Sequence, residues 1–127
     1  MTVEGNYQAT MKPEGSDYGG RAELELRGGR FELQMVRTYP YSIEDGQTLV
    51  GGYSVFDDRV EFVAEELREY TFETVKQERR VLRRMPFSGF FGAADDSLGV
   101  RPIAISLRIR GVWPVELRLT PGYSPRV

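Results

Sequence analysis

The densest chemistry in this chain lies in two carboxylate pairs, Asp57-Asp58 and Asp95-Asp96, and in a cation-rich run from Lys76 to Arg84. Adjacent carboxylates can share a proton or hold a hard cation. Both pairs sit in turn-like settings, where Asp bonds its own local backbone, and neither has the ligand spacing of a calcium loop. They read as turns, and no metal is expected. The chain contains no His and no Cys. That removes the commonest general base, the imidazole and thiolate metal ligands, the thiolate nucleophile and any disulfide. Chemistry would fall to carboxylates, tyrosines, arginines, Lys12 and Lys76. This weighs against an enzyme, and no cofactor is expected.

Lys76, Arg79, Arg80, Arg83 and Arg84 share one face when projected at about 100° per residue, with Val75, Val81, Leu82 and Met85 on the other. Glu78 interrupts the apolar side. Glu65, Glu66 and Glu69 precede the run and Pro86 follows it, which suits a helix dipole and a helix end. The pattern predicts an amphipathic helix over 75–85. A single helix over 59–85, started by Asp58 and Glu61, is the competing reading, disfavoured because Thr71–Val75 is a poor helix run. The basic face could meet an acidic protein, anionic lipid or a nucleic-acid backbone, but a net charge of −2 opposes nucleic acid. Phe87, Phe90 and Phe91 follow, flanked by Gly89 and Gly92. Such a segment could be a lid or a partner anchor; the favoured reading is a plug over an open side of the fold.

The elements that must position these residues are strands. Ala22, Leu24 and Leu26 alternate with glutamates, and Phe31, Leu33 and Met35 resume the alternation after Gly28-Gly29, a two-residue hairpin signal. Gly5, Tyr7, Ala9 and Met11 alternate near the start. Leu49, Gly51, Tyr53 and Val55 lead through a turn at Asp57-Asp58 into Val60, Phe62 and Ala64. Ile103, Ile105, Leu107 and Ile109 form another run, and Val115, Leu117 and Leu119 the last, with Pro114 outside the ladder. Tyr39-Pro40-Tyr41 opens a long loop through Gly46. These are seven strands, and an antiparallel meander closes only with an even number. An eighth strand within Arg68–Val75, or a plug, is required. The fold class is therefore all-β with one helix: an antiparallel meander of about seven to eight strands in a single domain spanning 1–127, with a helix and aromatic loop inserted at about 67–99.

Gly5-Asn6-Tyr7, the run from Ala22 to Leu33, and Gly52-Tyr53-Ser54-Val55 through Asp58, Val60 and Phe62 resemble small bacterial lipocalin-like, or calycin-type, barrels. Tyr7 stands where that family has Trp, and the resemblance implies an Arg, here Arg118, lying across it from the last strand. It also implies a fold that holds an apolar ligand inside a barrel. The expected function is non-enzymatic binding of a small apolar molecule, with Tyr7, Phe31, Tyr53 and Phe62 lining the site and Phe87, Phe90 and Phe91 gating it. The alternative is an interaction or assembly module, a homo-oligomer or protein partner, using the basic helix and the aromatic loop. A barrel isomerase or cyclase ranks third, for want of a carboxylate candidate. No apolar run reaches the length of a membrane span. With no signal-peptide pattern at Met1–Thr10, the default placement is cytoplasmic.

Overall fold

The computed structural model describes residues 3–11, 19–39, 43–71, 77–93 and 101–122. It contains strands β1 (Gly5–Met11), β2 (Gly20–Arg27), β3 (Arg30–Tyr39), β4 (Ile43–Val55), β5 (Arg59–Tyr70), β6 (Glu78–Phe91), β7 (Ile103–Leu107) and β8 (Val115–Pro121). Each pairs antiparallel with its sequence neighbour, and β1 pairs with β8, closing a barrel. The expected antiparallel meander is thus met as an eight-stranded closed barrel.

Alternation sets which way each strand faces. Leu24 and Leu26 are opposite Leu33 and Phe31, and Leu33 and Phe31 are opposite Leu49 and Gly51, all buried. Their even-numbered neighbours on β3, Glu32 and Gln34, face solvent. Gly28 and Gly29 form the expected turn, at φ +57° and +78°. Positive values at both central positions match the twist of the flanking strands and are open to glycine without a Cβ clash. Asp57-Asp58 also turns as expected, closed by the Phe56 N–H donating to the Arg59 carbonyl at 2.8 Å.

The residues read as a basic helix are instead most of the missing strand. From Glu78 onward the segment is β6, opposite β5 from Glu69 to Arg59. The longer helix over 59–85 fails equally, because Arg59–Tyr70 is β5. A bulge explains the misleading period. Ala64 is opposite Met85, but the next pair is Glu66 with Val81, so Leu82–Arg84 stand against Glu65 alone. Leu82 and Met85 both pack on the core. The extra residues turn a two-residue step into a three-residue step, which mimics helical spacing. Arg84 is in the left-handed region at φ +35°. Val81, expected on a buried stripe, is 86% exposed. Phe87, Phe90 and Phe91 belong to the barrel wall, not to a lid or plug, and the described part of 67–99 is wall rather than insertion.

Two other boundaries differ. β4 begins at Ile43, paired with Tyr39, so most of the expected loop through Gly46 is hairpin. β7 stops at Leu107, short of Ile109. Residues 40–42, 72–76 and 94–100, which include Lys76 and Asp95-Asp96, lie outside the described residues, as does Lys12. No helix is long and apolar enough to cross a membrane among the described residues.

Candidate functional site

The inward side chains fill the middle and lower barrel. Leu24, Leu26, Leu33, Leu49, Phe62, Leu67 and Leu119 are all fully inaccessible. A void that admitted even water would leave part of its lining accessible, so side chains occupy this level at interior density. At its centre Phe31, Phe62 and Phe87 form one cluster, with Phe62 and Phe87 stacked at 4.7 Å. Phe31 meets the two edge-on at 5.0 and 5.6 Å. Each buried ring contributes roughly 1.5–3 kcal/mol by burial, and such pairs add about 0.5–1.5 kcal/mol.

The seven expected ligand-binding aromatics therefore divide. Phe31, Phe62 and Phe87 meet one another. Tyr7 is buried nearby, its hydroxyl donating to the Val3 carbonyl at 2.7 Å, and burial with the neighbouring Tyr53 raises its pKa above the ordinary tyrosine value. Tyr53 is half-buried against the core. Phe90 points outward and is about half exposed, whereas Phe91 lies partly buried beneath the Arg101 guanidinium at 5.0 Å. Arg118 does not cross Tyr7: Tyr7 is opposite Pro121, while Arg118 is exposed opposite Ala104.

The cationic residues do not share a face. Arg79 and Arg80 are consecutive on a strand and so point to opposite sides. Arg79 pairs with Glu66 at 3.4 Å and Arg80 with Glu69 at 3.5 Å, the arginines exposed and the glutamates partly buried. Arg83 and Arg84 occupy the exposed bulge.

Two features outside those expectations carry more structure. The first is a groove where β6 and β7 part. Their ladder holds only Gly89–Ile105, Phe90–Ala104 and Phe91–Ile103. Continuing that register would bring Pro86 opposite Arg108, and a proline has no N–H to give to a ladder. The resulting groove has a volume of about 640 Å³. Phe87, Ile105, Ile109 and Leu117 form its floor, with Arg108, Glu116 and Arg118 around it.

The second is a polar cluster inside the upper mouth. Asp45, almost buried, accepts from Arg37 Nη2 at 3.2 Å and from the Tyr39 hydroxyl at 2.9 Å. The Arg37 guanidinium lies 4.1 Å from the Trp113 ring centre. Its Nε is buried and finds no acceptor among the described residues. Gln47, 2% exposed, uses both ends of its amide. Nε2 donates to Glu69 at 2.9 Å and to the Gly111 carbonyl at 3.1 Å, and Oε1 accepts from the Trp113 N–H at 2.9 Å. One signal for this cluster was present in the sequence: Arg37 and Tyr39 continue the inward register of Phe31, Leu33 and Met35.

Among the described residues no three acidic side chains gather closely enough to hold a metal ion. No family model, curated protein or solved structure matches this chain.

Proposed function

We propose that this protein binds a small molecule with an apolar body without transforming it, and that the ligand lodges where β6 and β7 part. The observation that carries the reading is the early end of the β6–β7 ladder, which leaves Phe87, Ile105, Ile109 and Leu117 as the floor of an open groove. Its volume of about 640 Å³ falls within the range of about 300–1,000 Å³ usual for small-molecule sites, which are mostly apolar with a few polar groups. Arg108, Glu116 and Arg118 supply those polar groups. The close-packed interior supports a site in the wall over a preformed central cavity. The lack of His and Cys supports binding over catalysis, and so does the exposure of the groove's carboxylate, Glu116, at 76%.

Native mass spectrometry of gently purified protein, against the denatured mass, tests for a carried molecule. Anilinonaphthalene sulfonate then probes the groove. Ala104→Trp, which places an indole on the exposed groove wall, is expected to weaken dye binding at least about tenfold. Gln34→Trp, exposed on β3 away from the groove, should leave it unchanged. A bare native mass together with equal dye affinity in both variants would sink the proposal.

A further inference from the structure

The hairpin of β7 and β8 is fastened to the rest of the wall at one end only. Three pairs join β7 to β6, and two pairs, Tyr7–Pro121 and Gln8–Thr120, join β8 to β1. Two further backbone bonds lie at the same end: Gly92 N–H to the Pro102 carbonyl at 2.8 Å, and Gly122 N–H to the Asn6 carbonyl at 2.7 Å. Towards the other end both ladders stop while the hairpin continues through Ser106–Glu116 and Leu107–Val115, the last two of its own five pairs, into its connecting loop. A groove opens on each side. One is the 640 Å³ groove beside β6, and the other, of about 540 Å³, is lined by Ala9, Thr10, Ala22 and Arg118 beside β1 and β2.

The far end of this hairpin is held by side chains. Its connecting loop turns back across the mouth, where the Gly111 carbonyl and the Trp113 N–H both bond the Gln47 amide. Arg37 adds its contact with the Trp113 ring. Leu107, Ile109, Val112, Val115 and Leu117 form the buried inner surface of the hairpin. They keep it closed at rest, and they are also the surface that an apolar molecule could replace.

We infer that the β7–β8 hairpin is a hinged door in the barrel wall with Gln47 as its latch, and that its opening widens the groove beside β6 so that a ligand can reach the apolar inner surface of the hairpin. The role in ligand entry rests on the binding proposed above, but the motion itself is readable in the protein alone. A ladder that ends early leaves a segment free to open separately from the rest of the sheet. The two backbone groups held by Gln47 would lose their partners if that side chain became apolar.

Hydrogen exchange of the full chain, read by mass spectrometry under native conditions, tests the door. In the wild-type protein the amides of the free end, 106–116, are expected to exchange through an opening that leaves β3 protected. Gln47→Leu removes three hydrogen bonds, two of them to the hairpin loop, and should speed exchange there roughly ten- to a hundredfold, with β2 and β3 unchanged. Hairpin protection equal to that of β3 in the wild type overturns the inference, and this arm stands even if the variant fails to fold. A uniform acceleration in Gln47→Leu also overturns it, since that would be global destabilisation. A hairpin that opens in a protein binding no dye would refute the ligand reading and keep the door. Dye binding with a hairpin that never opens alone would do the reverse.

Discussion

Gly51 and Gly52 are neighbours on one strand, and an alanine should have opposite effects at the two. Replacing glycine normally stabilises by about 0.4–1 kcal/mol, because the unfolded chain loses freedom. At Gly51 a Cβ would lie 1.9 Å from the Val63 carbonyl oxygen and 3.0 Å from a Phe31 ring carbon. Gly51 faces inward, opposite Phe31 and Ala64, beside the register shift at Val50/Gly51. The obstructing oxygen is backbone, so β4 and β5 would have to separate. Overpacking of this kind costs about 1–3 kcal/mol, and each ladder bond lost adds about 0.5–1.5 kcal/mol. The expected net loss for Gly51→Ala is about 2–4 kcal/mol. A Cβ at Gly52 meets nothing nearer than 3.6 Å, so Gly52→Ala should be neutral or slightly stabilising. Urea unfolding followed by Trp113 fluorescence and far-ultraviolet dichroism would separate the two midpoints by roughly 1–3 M. Midpoints within about 0.5 M of each other would refute the register at the centre of the barrel, and with it the placement of Phe31 against Phe62 and Phe87.

Val81→Lys distinguishes strand from helix. On β6 this residue is 86% exposed and the change should alter stability by less than about 0.5 kcal/mol, whereas a buried helical stripe would lose several times that. Urea midpoints of the two proteins decide between them. The Ser88 hydroxyl and Arg59, each bonding the Glu61 carboxylate, lower its pKa below 4.5, Ser88 being the larger cause. A depressed acid stabilises the fold above its unfolded value, and that contribution disappears as pH falls through the folded value. Ser88→Ala should move the Glu61 titration upward in an NMR pH series. An unmoved titration would show that Ser88 does not hold it.

The strands were legible where one face is apolar. Ala22, Leu24 and Leu26 alternate with charge, and Gly28-Gly29 can adopt the positive φ angles of the turn, so period and turn chemistry agree. β6 was illegible because its bulge hides the period: Leu82 and Met85 are both core-facing, three residues apart. Local periodicity cannot distinguish that from a helix, and only pairing with β5 decides it. The start of β4 was illegible for another reason. Asp45 and Gln47 face inward, where hydrophobic residues are expected, and their burial depends on distant partners, Arg37 and the Gly111–Trp113 loop. The groove depends on where two ladders stop, and Pro86 is its one local sign.

That split in the wall also gives the arginine run a physical role. Over most of its length above Gly89, β6 pairs with β5 alone among the described residues, leaving a row of backbone groups open to another strand. Such edges invite association unless charge, proline or a bulge blunts them. β6 has all three: Arg79, Arg80, Arg83 and Arg84, the bulge at Leu82–Arg84, and Pro86. Exposed Val81 stands between the arginines and is the kind of residue that would seed pairing if they were gone. Replacing Arg79 and Arg83 with Thr, a residue suited to strands, and Arg84 with Asn, which tolerates its positive φ, should therefore produce concentration-dependent association, visible as a rising mass in light scattering behind a sizing column. Arg79 is exposed and Glu66 keeps Arg68 as a partner without it, so removing Arg79 should cost no more than about 1 kcal/mol, and unfolding would not explain the association. Should the triple variant keep the wild-type mass at every concentration, the arginines do not protect the edge, and an anionic partner would become the better account of their clustering.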